Sequence, residues 1–406
     1  MKKIKLSKPM LFILLFGVVS LFSDMTHEGA ESIRGAYMAM LGASAGIIGF
    51  VSGLGELVGY SLRYVFGKIT DKKKNYWSMT LIGYCIDIIA VPTLALSSRN
   101  GWVFASILLL IQRMGKAIKK PAKNTILSFV ATQEGAGKSF GIQELLDQIG
   151  AFLGPVFLYI AMLFKTDGDN FKIYSTCFAF LAIPAAITLI LLIYTMQKFP
   201  NPENFEPEPK EYIPFKMNKE FAFYIAGISF FAFGFMDYSL IVMHISKLAI
   251  INNTSSIINQ DTIPLLYAMA MLIDAISAIF FGIIFDKKGV KSLIISTLLS
   301  APFAYFIFLK NSYLHIFTGI TMWGIGMGAQ ESILKASVSK MVPKSSRATG
   351  YGIFEFSFGI FWFLGSWLLG ILYDINILIM VFISILSQLS AIPFYIKSSN
   401  YNNKLH

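Results

Sequence analysis

Apolar stretches recur from one end of the chain to the other, separated by short polar connections. Each is about 20 residues long, enough to cross a bilayer hydrocarbon core of roughly 30 Å as a helix. The pattern predicts twelve spans, over residues 9–31, 43–66, 77–97, 102–120, 138–164, 172–196, 220–246, 262–285, 291–309, 313–338, 347–372 and 375–396. One connection differs from the rest. "QKFPNPENFEPEPKEYIPFKMNK", residues 197–219, is rich in Pro and Glu, has too little apolar material to pack a core, and reads as a linker. It divides the spans six and six, predicting an N-terminal bundle over 1–196 and a C-terminal bundle over 220–406 with a short tail. The expected fold class is an all-α polytopic membrane protein.

Composition agrees with that pattern. Hydrophobic residues make up 55% of the 406 positions and charged ones only 14%, against about 25% charge in a typical soluble domain. The formal charge of +11 raises the question of nucleic acid, but the basic residues cluster in alternate connections, as the positive-inside rule requires of a membrane protein. One set holds Lys2–Lys8, Lys68–Lys74, Lys116–Lys123, Lys198–Lys219, Lys287–Lys291 and Lys340–Arg347; the opposite set holds little beyond Arg34, Arg99, Lys165, Lys172, Lys247 and Lys310. This predicts a multi-pass protein of the cell membrane with both termini cytoplasmic and no nucleic-acid partner. Cys85 and Cys177 lie inside apolar runs and read as packing residues, and no paired-cysteine or Cys/His spacing predicts a metal. No Gly-x-Ser-x-Gly elbow, His-Glu-x-x-His or phosphate loop occurs, so neither an enzyme nor a cofactor is expected.

The two halves resemble each other. "GKITDKKKN" (67–75) closes span two and "GIIFDKKGVK" (282–291) closes span eight. In span five, Gly141, Ile142, Glu144 and Gly154 match Gly352, Ile353, Glu355 and Gly365 of span eleven at one constant offset, and Asp24 falls close to Asp237 of span seven. Tandem six-span repeats are one known transporter plan.

On these residues the chain resembles the major facilitator superfamily over essentially its whole length. Gly67, Asp71 and Lys72, repeated as Gly282, Asp286 and Lys287, fit that family's Gly-x-x-x-Asp-basic pattern, and Arg113 with Gly115 fits its span-four pattern. The resemblance implies two pseudo-symmetric six-helix bundles and a cytoplasmic latch role for Gly67, Asp71 and Asp286. Gly150-x-x-x-Gly154-Pro155 resembles the motif of the drug–proton antiporter branch, although the chain continues "VFLYI" where that motif carries a further Gly pair. The block "DMTHEGAESIRG" is similar to one found in bacterial and archaeal members of unassigned substrate.

Ionisable groups within spans are costly and mark cavities or partners. Asp24, His27, Glu28 and Glu31 stand at i, i+3, i+4 and i+7, sharing an arc of roughly 100° on the first span. Asp24 and Glu28 are expected in a cavity, Glu31 and Arg34 at a watered outer helix end, and His27 either packs or partners Glu28. Glu56 and Arg63 share a face of span two; Glu56 is assigned to the cavity, and Arg63 to gating or to snorkelling at the helix end. Glu144 and Asp147 open span five, with Arg113 of span four as a possible neutralising partner for Glu144. Asp147 and Asp237 complete the cavity set, while Arg113, Glu144, Gly154, Pro155 and Glu355 are read as gating or structural positions. Asp87 reads as a packing feature. Several carboxylates in one cavity disfavour simultaneous ionisation, which is what proton coupling needs. The expected function is a secondary transporter exporting a small cationic or amphipathic solute against protons, with proton-coupled uptake as the alternative.

Overall fold

A computed structural model describes residues 7–134, 136–164, 168–202, 217–251, 259–310, 312–342 and 347–402. Among these residues the ordered elements are helical. The N-terminal half runs α1 (Lys8–Met40), α2 (Ala45–Lys73), α3 (Tyr76–Thr93), α4 (Trp102–Glu134), α5 (Ala136–Leu163), α6 (Asn170–Phe180) and α7 (Ala182–Lys198). The C-terminal half runs α8 (Lys219–Gly234), α9 (Tyr238–Ile251), α10 (Ile263–Lys288), α11 (Lys291–Ser300), α12 (Phe303–Phe308), α13 (Tyr313–Met341), α14 (Arg347–Ile375), α15 (Ile377–Ser390) and α16 (Ile392–Asn402). Taking α6–α7, α8–α9, α11–α12 and α15–α16 as single interrupted spans recovers the expected twelve. Ten of these segments are apolar and long enough to cross a membrane.

The remaining two are α4, which carries Arg113 and four lysines, and α13, whose first 18 residues are uncharged but hold four glycines, His315 and Gln330; at α4 the sequence expectation needs correcting. Lys116, Lys119, Lys120 and Lys123 are expected in a cytoplasmic connection. They lie instead midway along α4, whose 33 residues extend about 50 Å at the helical rise. Ala136–Ser139 form the opening of α5. Much of the predicted 197–219 linker, Asn252, Asn253 and the tail beyond 402 lie outside the described residues.

Local chemistry explains the interruptions. Pro184, Pro302 and Pro393 stand at or just after three of them, where a missing N–H and a bulky ring oppose helix continuation. The α8–α9 break contains no proline. Its freed backbone is satisfied from neighbouring helices: Ser384 Oγ (2.7 Å) and Gln388 Nε2 (3.2 Å) donate to the Gly234 carbonyl, and Trp323 Nε1 donates to Met236 O at 3.0 Å. Non-helical backbone at membrane depth is tolerated only with such partners. Asn218 and Asn376 cap α8 and α15 by accepting from backbone N–H groups two to three residues on.

The chain divides into two compact units, Met1–Glu31 with Leu62–Pro209, and Ser32–Ser61 with Lys210–His406. In the first, Phe12, Phe16 and Val19 of α1 pack with Tyr84 and Ile88 of α3, Ile126 and Val130 of α4, and Leu192 of α7. Close helix approach there depends on glycine: a Cβ at Gly150 would fall 2.3 Å from Leu21 O, and one at Gly154 2.4 Å from Met25 O. The second unit repeats the arrangement at Gly365, where a Cβ would lie 2.0 Å from Phe233 O. Its core centres on Phe235, stacked on Trp323 and tilted against Phe303 and Trp362.

Candidate functional site

The first unit carries a polar core. Gln112, Arg113, Lys116, Lys119, Lys120 and Lys123 occupy an arc of about 120° on α4, while Phe104, Ile107, Ile111 and Met114 on other faces are exposed. The cationic arc faces the acidic stripe of α1.

At its most buried point stand His27, Asp87 and Lys119. Lys119 Nζ lies 2.5 Å from Asp87 Oδ2, donates to Ser23 Oγ at 3.0 Å, and sits 3.9 Å from the centre of the Tyr84 ring. Its three N–H directions are thereby used. His27 Nε2 lies 2.8 Å from Asp87 Oδ2, and Gln112 Nε2 donates to His27 Nδ1 at 2.9 Å. A neutral imidazole with its proton on Nε2 satisfies both contacts. This geometry requires α3 and α4 to touch backbone to backbone. A Cβ at Gly83 would lie 2.5 Å from Lys119 N, and one at Gly115 2.5 Å from Asp87 N.

One turn further along α4, Lys123 Nζ lies 3.7 Å from Asp147 Oδ2 of α5, whose other oxygen accepts from Gln143 Nε2 at 2.9 Å. Asp24, half-buried on α1, interacts electrostatically with Asp147, Lys123, Glu28 and Lys116. The Asp147 side chain keeps 25% exposure, whereas that of Asp87 is fully buried. Arg113 Nη2 lies 3.9 Å from Glu31 Oε2, both side chains 15% exposed.

Several expectations change. His27 partners Asp87 rather than Glu28. Glu31 is not at a watered end but in the Arg113 pair. Arg113 approaches Glu31, while Glu144 is exposed. Asp87 is no packing residue; it anchors the buried cluster. Gly154 belongs to the α1–α5 contact, and Pro155 beside it is buried within α5.

In the second unit Arg34 also departs from expectation. It is 5% exposed, donating to Ser239 Oγ from Nη2 at 2.8 Å and from Nε at 3.0 Å, and to Asp237 Oδ1 at 3.3 Å. Asp237 accepts from Ser239 N at 2.9 Å, so it caps the start of α9 at the helix break. Glu56 on α2 and Glu355 on α14 are half-buried, as is Arg63 of the first unit. Gly67 lies in α2, where a Cβ would stand 3.7 Å from the Pro121 ring, and Asp71 belongs to the last turn of α2, its side chain outside the described residues. Exposed Asp286 sits near the end of α10, 4.0 Å from Lys340 of α13. Along α14, Phe354, Phe358 and Trp362 are buried and Phe356 and Phe361 exposed.

The sequence did carry a signal for the missed cluster. Gly83-x-x-x-Asp87 and Gly115-x-x-x-Lys119 are complementary patterns on consecutive, antiparallel spans, so each glycine faces the other helix's charged position.

Comparison with known proteins completes the picture. The Major Facilitator Superfamily model matches residues 10–289 and 247–403. An uncharacterised protein of Mycobacterium tuberculosis is 33% identical over 387 residues, covering 94% of this chain and 91% of the relative. An uncharacterised MFS-type transporter of Methanocaldococcus jannaschii is 28% identical over 371 residues, covering 90% and 89%. Among solved structures, the nucleoside transporter NupG has a TM-score of 0.74 at 16% identity, covering 95% of this chain and 99% of that one. A D-xylose–proton symporter has a TM-score of 0.69 at 15% identity, covering 95% and 96%. At those identities the likeness concerns the fold.

Proposed function

This chain belongs to the major facilitator superfamily, and from that premise we propose that it exports a small cationic or amphipathic solute in exchange for protons. Membership makes it a membrane-embedded secondary carrier of small molecules and not an enzyme. The further steps, coupling and direction, are our reading.

The observation that carries it is the Asp147–Lys123 pair beside Asp24. A carboxylate that couples to protons must be paired well enough to exist at membrane depth and open enough to exchange. Asp147 meets both requirements, with Lys123 at 3.7 Å and a quarter of its side chain exposed. Lys123 then acts as a tethered cation. While Asp147 is ionised the ammonium neutralises it; a proton, or the cationic group of a solute, replaces that pairing. Proton and solute compete for the same acids, and mutual exclusion couples their flows.

The cations of α4 balance much of the acidic stripe. A simple cation would find little excess negative charge, so the solute we favour joins one cationic group to an apolar body. The near approach of Asp286 and Lys340 supports a latch role for the end of α10. Both termini face the cytoplasm in this reading. The basic tally for that orientation now rests on the connections outside α4.

The test is transport in proteoliposomes with an entrapped pH dye and a panel of lipophilic amines. Coupled exchange predicts amine flux opposed to proton flux, with Asp147→Asn retaining amine counterflow but losing the proton signal. Amine and proton moving in the same direction would make the protein a symporter, and amine flux without protons in wild type would refute coupling.

A further inference from the structure

A second charged feature belongs to the second unit, where α10 ends and α11 begins beside α16. Lys287 and Lys288 close α10, Gly289 ends it at φ +56°, a backbone state glycine adopts without strain, and Lys291 opens α11 two residues later. The tight turn brings all three lysines onto one groove of about 600 Å³, lined also by Ile294, Ile295 and Ser399.

The ordinary explanation covers part of this. Lysines in the last turn of a helix complement its dipole, which accounts for Lys287 and Lys288. It does not account for Lys291, which sits in the first turn of α11, where the dipole favours an acid; the positive-inside placement covers all three but does not require them to share one groove. Among the described residues none of the three has an ion-pair partner. Three like charges converge on one groove where α10 ends and α11 begins, with no ion-pair partner among the described residues.

We propose that this groove binds the headgroup of an anionic phospholipid. The chemistry it offers, three ammonium groups with one of them at a helix N-terminus, suits phosphate oxygens. The floor argues for a lipid over free phosphate. Ile294 and Ile295 lead one turn on to Leu298 and Leu299, which are 54% and 46% exposed. A headgroup held by the lysines would lay its acyl chains along that apolar track, whereas free phosphate would gain nothing from it. Basic pockets between the ends of transmembrane helices are suited to such lipids.

Native mass spectrometry of the purified full chain tests the assignment with phosphatidylglycerol, phosphatidylcholine and inorganic phosphate as probes. Wild type should retain phosphatidylglycerol after phosphatidylcholine has dissociated. K287Q/K288Q/K291Q should bind phosphatidylglycerol about a hundred-fold more weakly, at about five-fold per lysine, and the Arg triple variant should stay within a few-fold of wild type. If the Gln triple does not fold, K291Q alone should show the five-fold loss. Equal retention of the two lipids, unchanged affinity in the Gln variants, equal loss in the Arg variant, or full displacement of lipid by an equal concentration of inorganic phosphate would each overturn the proposal.

Discussion

Two ion clusters stand one helical turn apart on α4 and use the same side-chain types. Lys119 meets Asp87 and Lys123 meets Asp147. Their surroundings separate them. The Asp87 side chain is 0% exposed, and Lys119 spends its donors on Asp87, Ser23 and the Tyr84 ring, with His27 and Gln112 closing the network. Asp147 is 25% exposed and its contact to Lys123 is a looser 3.7 Å. A sealed ion pair has no inexpensive alternative state, since parting it strands charges in a low-dielectric interior. A looser, partly exposed pair has several. In our proposal the first cluster is therefore a strut and the second the site, with accessibility rather than residue type deciding between them.

The comparison breaks most visibly if one charge of the sealed cluster is removed. Lys119→Ala leaves Asp87 buried without its cation and should cost about 3–5 kcal/mol, read as a large fall in melting temperature or loss of folded protein in detergent. Lys119→Met combined with Asp87→Asn should recover a substantial part of that loss, because both charges go together. A smaller effect comes from parting the helices that seal the cluster. Gly115→Val places side-chain atoms where even a Cβ meets Asp87 N at 2.5 Å, so overpacking should cost about 1–3 kcal/mol, measured in the same melting experiment. The smallest change in stability belongs to the open pair. Asp147→Asn should shift stability by no more than about 1 kcal/mol, while abolishing proton flux in vesicles. A drop as large as that of Lys119→Ala would place Asp147 among the struts.

Much of this is legible in the sequence, for identifiable reasons. Hydropathy locates twelve spans because a bilayer imposes one length on every crossing, and the matching of Gly154 with Gly365 anticipates two equivalent helix contacts, to Met25 and Phe233. Lys116–Lys123 mislead because charge tallies assume that lysines lie in connections; a helix can carry them when acids on its neighbours face them. Asp87 escapes notice for the complementary reason, as a lone acid in an apolar span whose partner lies 32 positions away on a different helix. Arg34 is expected in water because its span is expected to end at 31, whereas α1 continues to Met40 and carries the guanidinium to Asp237 and Ser239. In each case the missing information is which faces meet, and that depends on pairs of helices rather than on any one of them.

The central claim is that protons exchange at the open acids and not at the sealed one. Infrared difference spectroscopy of the purified protein between acid and alkaline pH reads carboxyl protonation directly. Wild type should give a protonated-carboxyl band that is lost or displaced in Asp147→Asn or Asp24→Asn, and that persists unchanged when the sealed cluster is altered by Gln112→Leu. A band indifferent to both Asp147→Asn and Asp24→Asn, but moved by Gln112→Leu, would contradict the account and transfer proton exchange to the His27–Asp87–Lys119 cluster.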